Sequence, residues 1–239
     1  MSGPVVLREE VESPDRPVRA PGRPHVAVLV SLNLPDLTES VAGLHRRFTR
    51  VALSALGDLD ASHQLLDTTD PSIVETAVEA DALVVLGGGD IAASCHDGPV
   101  PGSYGVDGEA DRVSMEVIRA YIDADRPVFG ICRGSQLINV AYGDTIIGDI
   151  TDYTLHHGRP GKHLFVDEKI VVAPHTRLAT ILGEGPLVVR SGHHQAVEHP
   201  SKWVVGVQFH PEDDDGPLDG LRNLFASFLL ASSFARPTT

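Results

Sequence analysis

The segment PVFGICRGSQ, residues 127–136, sets Cys132 between an apolar run and a stretch that reads as a helix. Gly130 and Gly134 flank it in the pattern G-x-C-x-G, the cysteine counterpart of an elbow that exposes a nucleophile at a sharp strand-to-helix turn. Glycine suits both positions because a side chain there would collide with neighbouring backbone. At such a turn the sulfur lies beside the first turn of a helix over 135–142, whose unpaired N–H groups and dipole favour thiolate over thiol. The N–H of Arg133 would face the oxygen of a tetrahedral intermediate. The plainer reading is a small buried residue at a strand end, since free cysteine is often buried and the pattern alone is weak.

A nucleophile of this kind needs a base, and GVQFHPE, residues 206–212, offers one in His210. Pro211 favours extended backbone for the residue before it, and in extended backbone residues two apart project to the same side, which brings Glu212 to the imidazole. Cys132 would then attack, His210 would take and return the proton, and Glu212 would fix the tautomer, giving acyl transfer through a thioester. The alternatives are a surface or core histidine, one of 12 in the chain, and a solvated acid beside Asp213, Asp214 and Asp215. Gly87, Gly88 and Gly89 follow an apolar strand expected next to the Cys132 strand. Backbone N–H groups of Gly88 and Gly89 would complete an oxyanion hole, unless the triplet is an ordinary strand-end turn. The C-terminal edge of a parallel sheet is where ligands favour such sites.

These groups meet only if strands and helices alternate along the chain. HVAVLV, residues 25–30, is a β-branched run of strand length, and a helical pattern follows over 36–56. A strand at 63–66, a helix over 70–80, a strand at 82–86, a loop over 91–105, a helix over 107–124 and a strand at 127–131 continue the series. Runs this apolar fit a parallel sheet covered on both faces, the α/β class. Beyond Gly143, short strands are expected at 145–147, 163–165, 169–172, 187–190 and 204–209, before a closing helix over 218–231. Residues 1–24 carry five prolines among charges with no apolar period and read as a flexible leader. One domain is expected over 25–232, with a tail at 233–239.

With 239 residues, 42% of them hydrophobic, the chain can close a single α/β core. Its 19 basic and 33 acidic residues leave a charge of −14, which speaks against nucleic acid or an anionic membrane as partner. No apolar run approaches the roughly 20 residues a bilayer-spanning helix needs. Two cysteines and no charged-then-apolar opening segment suggest neither secretion nor a disulfide framework, so the expected location is a reducing cytoplasm. Cys95 has only a weak claim as a second reactive thiol. His156, His157 and His163 read as a polar loop. Thiol and carboxylate partners at ligand spacing are missing, so no metal is expected there, and the chemistry requires no organic cofactor.

GGGD, GICRGSQ, SGHHQAV and GVQFHPE, in this order over roughly residues 80–230, resemble the class I glutamine amidotransferase-like proteins, most closely their γ-glutamyl-γ-aminobutyrate hydrolase branch. Arg133 after the cysteine, and the run His193, His194, Gln195, favour that branch. The resemblance implies a flavodoxin-like three-layer sandwich and Cys132, His210 and Glu212 as the triad. It also implies a small γ-glutamyl substrate, with Gln136, His193, His194 and Gln195 lining the glutamyl pocket.

Two departures from the family pattern stand out. Only residues 196–205 separate the paired histidines from GVQFHPE, where the family has room for two strands and a turn. A lost strand pair bares a sheet edge, so either a homodimer contact or an unusually exposed edge is expected. Arg190 replaces the asparagine of the usual V-N-S, and would either bind a substrate carboxylate or be solvated. Two further functions compete with hydrolysis: a glutaminase subunit feeding ammonia to a separate synthetase, since no P-loop occurs in the chain, and a non-catalytic binding protein on the same fold.

Overall fold

The computed structural model describes residues 3–70, 72–95, 103–148, 150, 156–158, 164–193 and 204–234. Strands β1 (His25–Val30), β2 (Ser62–Asp67), β3 (Ala82–Val85), β4 (Val128–Ile131) and β7 (Val204–Val207) form one parallel sheet in the order β2-β1-β3-β4-β7. Every residue of β1, β3 and β4 is buried, as expected of strands covered on both faces. The strand period of two divides them between the faces. Val26, Val28, Val84 and Phe129 enter a core shared with α2 (Glu39–Asp58) and α7 (Asp219–Phe234). Ala27, Leu29, Leu83 and Val85 enter a second core with α3 (Ile73–Ala77), α4 (Gly108–Asp123) and α5 (Arg133–Ala141). The result is the expected three-layer sandwich.

Helix starts follow local chemistry. The Thr38 hydroxyl accepts the Val41 N–H at the start of α2, and the Asp107 carboxylate accepts from Glu109 and Ala110 at the start of α4. Beside the sheet stands an antiparallel pair, β5 (Val166–Val172) and β6 (Gly185–Ser191), connected through α6 (Arg177–Leu182), with Glu168 opposite Val189. No described helix is long and apolar enough to cross a membrane.

The flexible leader is corrected. Residues 3–24 carry helix α1 (Arg8–Val11), and Val6 and Val11 are 2% and 3% exposed within the first core. The Asn33 amide brackets Val6, accepting its N–H at 2.8 Å and donating to its carbonyl at 3.1 Å, while Arg8 donates to the Leu65 carbonyl at 2.9 Å. Two isolated valines give no period, so pattern alone could not reveal this docking. The tail also begins later, because α7 runs to Phe234 and Ser232 is buried. Residues 145–147 make only a single bridge at Ile147, and the strand expected at 163–165 falls partly outside the described residues. So does most of the shortened segment 196–205.

Candidate active site

Cys132 joins β4 to α5 with φ 49° and ψ −110°, a backbone conformation that costs a residue with a side chain on the order of 1–3 kcal/mol. Its neighbours hold it there. The Cys132 N–H donates to the Val207 carbonyl of β7 at 2.8 Å, and its carbonyl accepts the Gln136 N–H at 3.2 Å. A Cβ on Gly134 would lie 2.2 Å from the Val85 oxygen, and one on Gly130 2.6 Å from the Gly134 carbonyl carbon. The two glycines are therefore what lets α5 approach β3 and β4 closely enough to form the elbow.

The histidine expected to act as base stands just beyond the next strand. β7 lies beside β4 with Gly206 opposite Gly130, and Gly206 must be bare because a Cβ there would sit 2.3 Å from the Ser135 hydroxyl. Just beyond β7, His210 donates its backbone N–H to Arg190 at 2.7 Å, and its Nδ1 lies 2.8 Å from Glu212 Oε1. The backbone is not extended here: Asp213 N–H donates to the His210 carbonyl, closing a turn that brings Glu212 round. The imidazole also lies beside the Cys132 side chain, both within 4 Å of the point that a Cβ on Gly87 would occupy. Phe48 and Phe165 flank it, with ring centroids 5.3 and 4.8 Å away. Burial disfavours the imidazolium, but the charge of Glu212, the Cys132 sulfur and the hydrogen bonds to both outweigh it and push His210 up to about 10. A cation is thus held beside the sulfur at neutral pH.

One further pair of contacts fixes this turn. Asp213, fully buried at its side chain, takes Arg47 of α2 at 2.9 Å on one oxygen and Arg190 of β6 at 2.9 Å on the other. Arg190 also reaches Asp167, so it neither faces a substrate nor stands in solvent; it clamps the turn that carries His210.

Cys132, His210 and Glu212 open onto a cavity of about 350 Å³ whose wall includes Gly88, Gly89, Arg133, Gln136 and His193. His194 and Gln195 lie outside the described residues. A Cβ on Gly87 would stand 3.2 Å from His210 Cε1 and 3.7 Å from Cys132 Cβ, so the glycine loop passes directly over the cysteine and histidine. Arg133 pairs with buried Asp111 at 2.5 Å, which leaves its backbone N–H, at the first position of α5, as its offering to a ligand. The sequence reading missed Gln208, whose amide donates to Cys132 Sγ at 3.5 Å and accepts from Gln136 at 3.4 Å. Its place inside GVQFHPE was the available signal. It also missed the α2 wall of Val41, Leu44, His45 and Phe48, which the sequence marks only as a generic helix. Burial pushes His45 down to about 4, so that wall is uncharged. Cys95 is not among the lining residues, and burial pushes its thiol up. His156 and His193 meet Glu168, a carboxylate partner that sequence spacing did not offer.

A cysteine elbow on a five-stranded parallel sheet, with a histidine just beyond the neighbouring strand, marks the glutamine amidotransferase-like class I fold. Residues 64–202 match the Peptidase C26 family, and the chain belongs to it. A Mycobacterium tuberculosis protein provisionally named a glutamine amidotransferase is 32% identical over 198 residues, 70% of this chain and 61% of that one. A glutamine-hydrolysing GMP synthase component of Methanosarcina barkeri is 26% identical over 200 residues, 75% and 89% of the two chains. Among solved structures, a Thermoplasma acidophilum protein provisionally described as a component of GMP synthase superposes with a TM-score of 0.59 at 16% identity, covering 89% of this chain and 95% of that one.

Proposed function

We propose that the protein hydrolyses a γ-glutamyl amide, such as a γ-glutamyl-γ-aminobutyrate-like compound, through a glutamyl thioester on Cys132. The observation that carries this reading is the imidazole bonded to Glu212 at 2.8 Å on one side and set beside the cysteine on the other, at the floor of an open cavity. The thiolate attacks the γ-carbonyl carbon, and the resulting oxyanion is received by N–H groups of Arg133 and of the Gly88, Gly89 loop. As the intermediate collapses, the C–N bond breaks and the His210 imidazolium gives its proton to the departing amine. His210 then takes a proton from water, the hydroxide attacks the thioester, and glutamate leaves as the sulfur regains its electron pair. Gln136 and His193, with His194 and Gln195, are assigned to the glutamyl pocket.

Incubation with γ-glutamyl amines and measurement of free glutamate tests the reading. Release by the wild type and none by Cys132→Ala is expected; equal release by both overturns it. The likeness to the glutamine-hydrolysing GMP synthase component favours a second reading, a glutaminase that passes ammonia to a separate synthetase. That reading expects hydrolysis of free glutamine that rises sharply when the synthetase partner is added, and little release from other γ-glutamyl amines.

A further inference from the structure

We propose that His156, Glu168 and His193 form a binding site for a divalent transition-metal ion of the zinc type at the rim of the cavity. The three side chains come from separate segments: His156 from the loop before β5, Glu168 from β5, and His193 from the residues after β6. One donor atom from each lies within 4.8 Å of the other two. His156 Nδ1 is 2.7 Å from Glu168 Oε1, and His193 Nε2 is 3.9 Å from Glu168 Oε2. Ligands about 2.0–2.2 Å from a tetrahedral zinc stand roughly 3.3 Å apart, between these two spacings.

The His156 contact is close without being a hydrogen bond. That nitrogen is buried and has no hydrogen-bond partner despite the carboxylate beside it. An ordinary histidine–glutamate ion pair would align an N–H on the oxygen. A nitrogen and an oxygen side by side without a hydrogen bond between them suit a shared cation better. The His156 and His193 rings lie 5.2 Å apart, and the backbone pins them in register, with His193 N–H donating to the His156 carbonyl at 3.0 Å. Two imidazoles and one carboxylate are a zinc donor set that leaves a fourth position for water. Side-chain exposures of 28%, 16% and 8% make the place partly dry yet reachable by an ion.

His193 also lines the cavity, so a bound ion would tie the 156–158 loop and the end of β6 to β5, fixing one wall. The ion has a clamping role and takes no part in the thioester chemistry; because His193 also belongs to the glutamyl pocket of the hydrolase reading, the test reads ion binding alone, and none of its outcomes depends on hydrolysis. The test uses untagged full-length protein stripped with a chelator, titrated with zinc chloride in a calorimeter and with cobalt(II) by visible absorption. One equivalent is expected in the wild type and in Cys132→Ala, which excludes the catalytic thiol as the ligand. Binding should weaken at least tenfold in Glu168→Gln and in His156→Ala, two changes at partly exposed positions, with circular dichroism confirming that the variants fold. Zinc should raise the melting temperature of the first two proteins only. Absence of saturable binding, equal affinity in Glu168→Gln and His156→Ala to that of the wild type, or loss of the site in Cys132→Ala would overturn the proposal.

Discussion

Replacing Glu212 by glutamine preserves the side-chain shape and removes the charge that faces His210 at 2.8 Å. In the folded protein the imidazole is held at about 10 against an ordinary 6.5. At 1.36 kcal/mol per pH unit, the difference is on the order of 5 kcal/mol of preference for the protonated ring. The folded chain keeps a proton that the unfolded chain releases above its ordinary value. This stabilisation is therefore complete below about pH 6.5 and is lost as pH rises toward about 10. In Glu212→Gln, burial is opposed chiefly by the sulfur, the ring falls back toward its ordinary value, and the alkaline loss shrinks. Urea unfolding of both proteins between those two pH limits should give the widest stability gap at the acid end, narrowing by several kcal/mol at the alkaline end. Because Glu212 also orients the ring, kcat/KM should fall by about 10²–10⁴. Parallel pH–stability curves together with an unchanged kcat/KM would refute the reasoning.

Gly134→Ala would force a Cβ within 2.2 Å of the Val85 oxygen, and that neighbour is backbone, so about 1–3 kcal/mol of stability and the iodoacetamide reactivity of Cys132 should both be lost. Asp213→Asn should lower stability by about 2–3 kcal/mol in urea unfolding, below the 3–5 kcal/mol of a fully buried pair because Arg47 and Arg190 are partly exposed. Burial pushes His63 down to about 4, so the folded chain excludes a proton that the unfolded chain accepts. Acid unfolding should accordingly set in as pH falls from about 6.5 toward 4, and His63→Gln should flatten that limb. Deleting residues through Glu12 exposes the surfaces that cover Val6 and Val11, each contributing about 1.5–3 kcal/mol, and thermal melting should occur at a clearly lower temperature.

The parts of the fold that sequence made legible are those where one local rule acts alone. HVAVLV is a strand because β-branched residues run unbroken for strand length, and it is observed over the expected residues. Gly130 and Gly134 point to an elbow because close backbone approach leaves few other choices. The contacts that escaped are long-range. Nothing in residues 5–11 says that two valines enter the first core, and nothing near Arg190 says that its charge is absorbed by Asp213 of a distant turn. Glu168 was invisible as a partner of His156 for the same reason: the pairing of β5 with β6, together with the bond from the His193 N–H after β6 to the His156 carbonyl, brings them together. The His210 and Glu212 side chains do meet, but through a turn where extended backbone was expected.

The strand order carries a consequence for how the protein comes into being. β4 pairs on one side with β3, close in sequence, and on the other with β7, so the residues around the sulfur are completed from far downstream; Gln208 alone is 76 positions beyond Cys132. During synthesis the strand before Cys132 can pair with β3 while the chain still lacks His210, and the neighbour of β4 on the other side arrives only once β7 has emerged. Pairing across such a separation waits on slow, entropically costly loop closure. The sulfur is therefore a late reporter of folding: its reactivity should appear in step with the docking of β7, after β1 to β4 have already assembled.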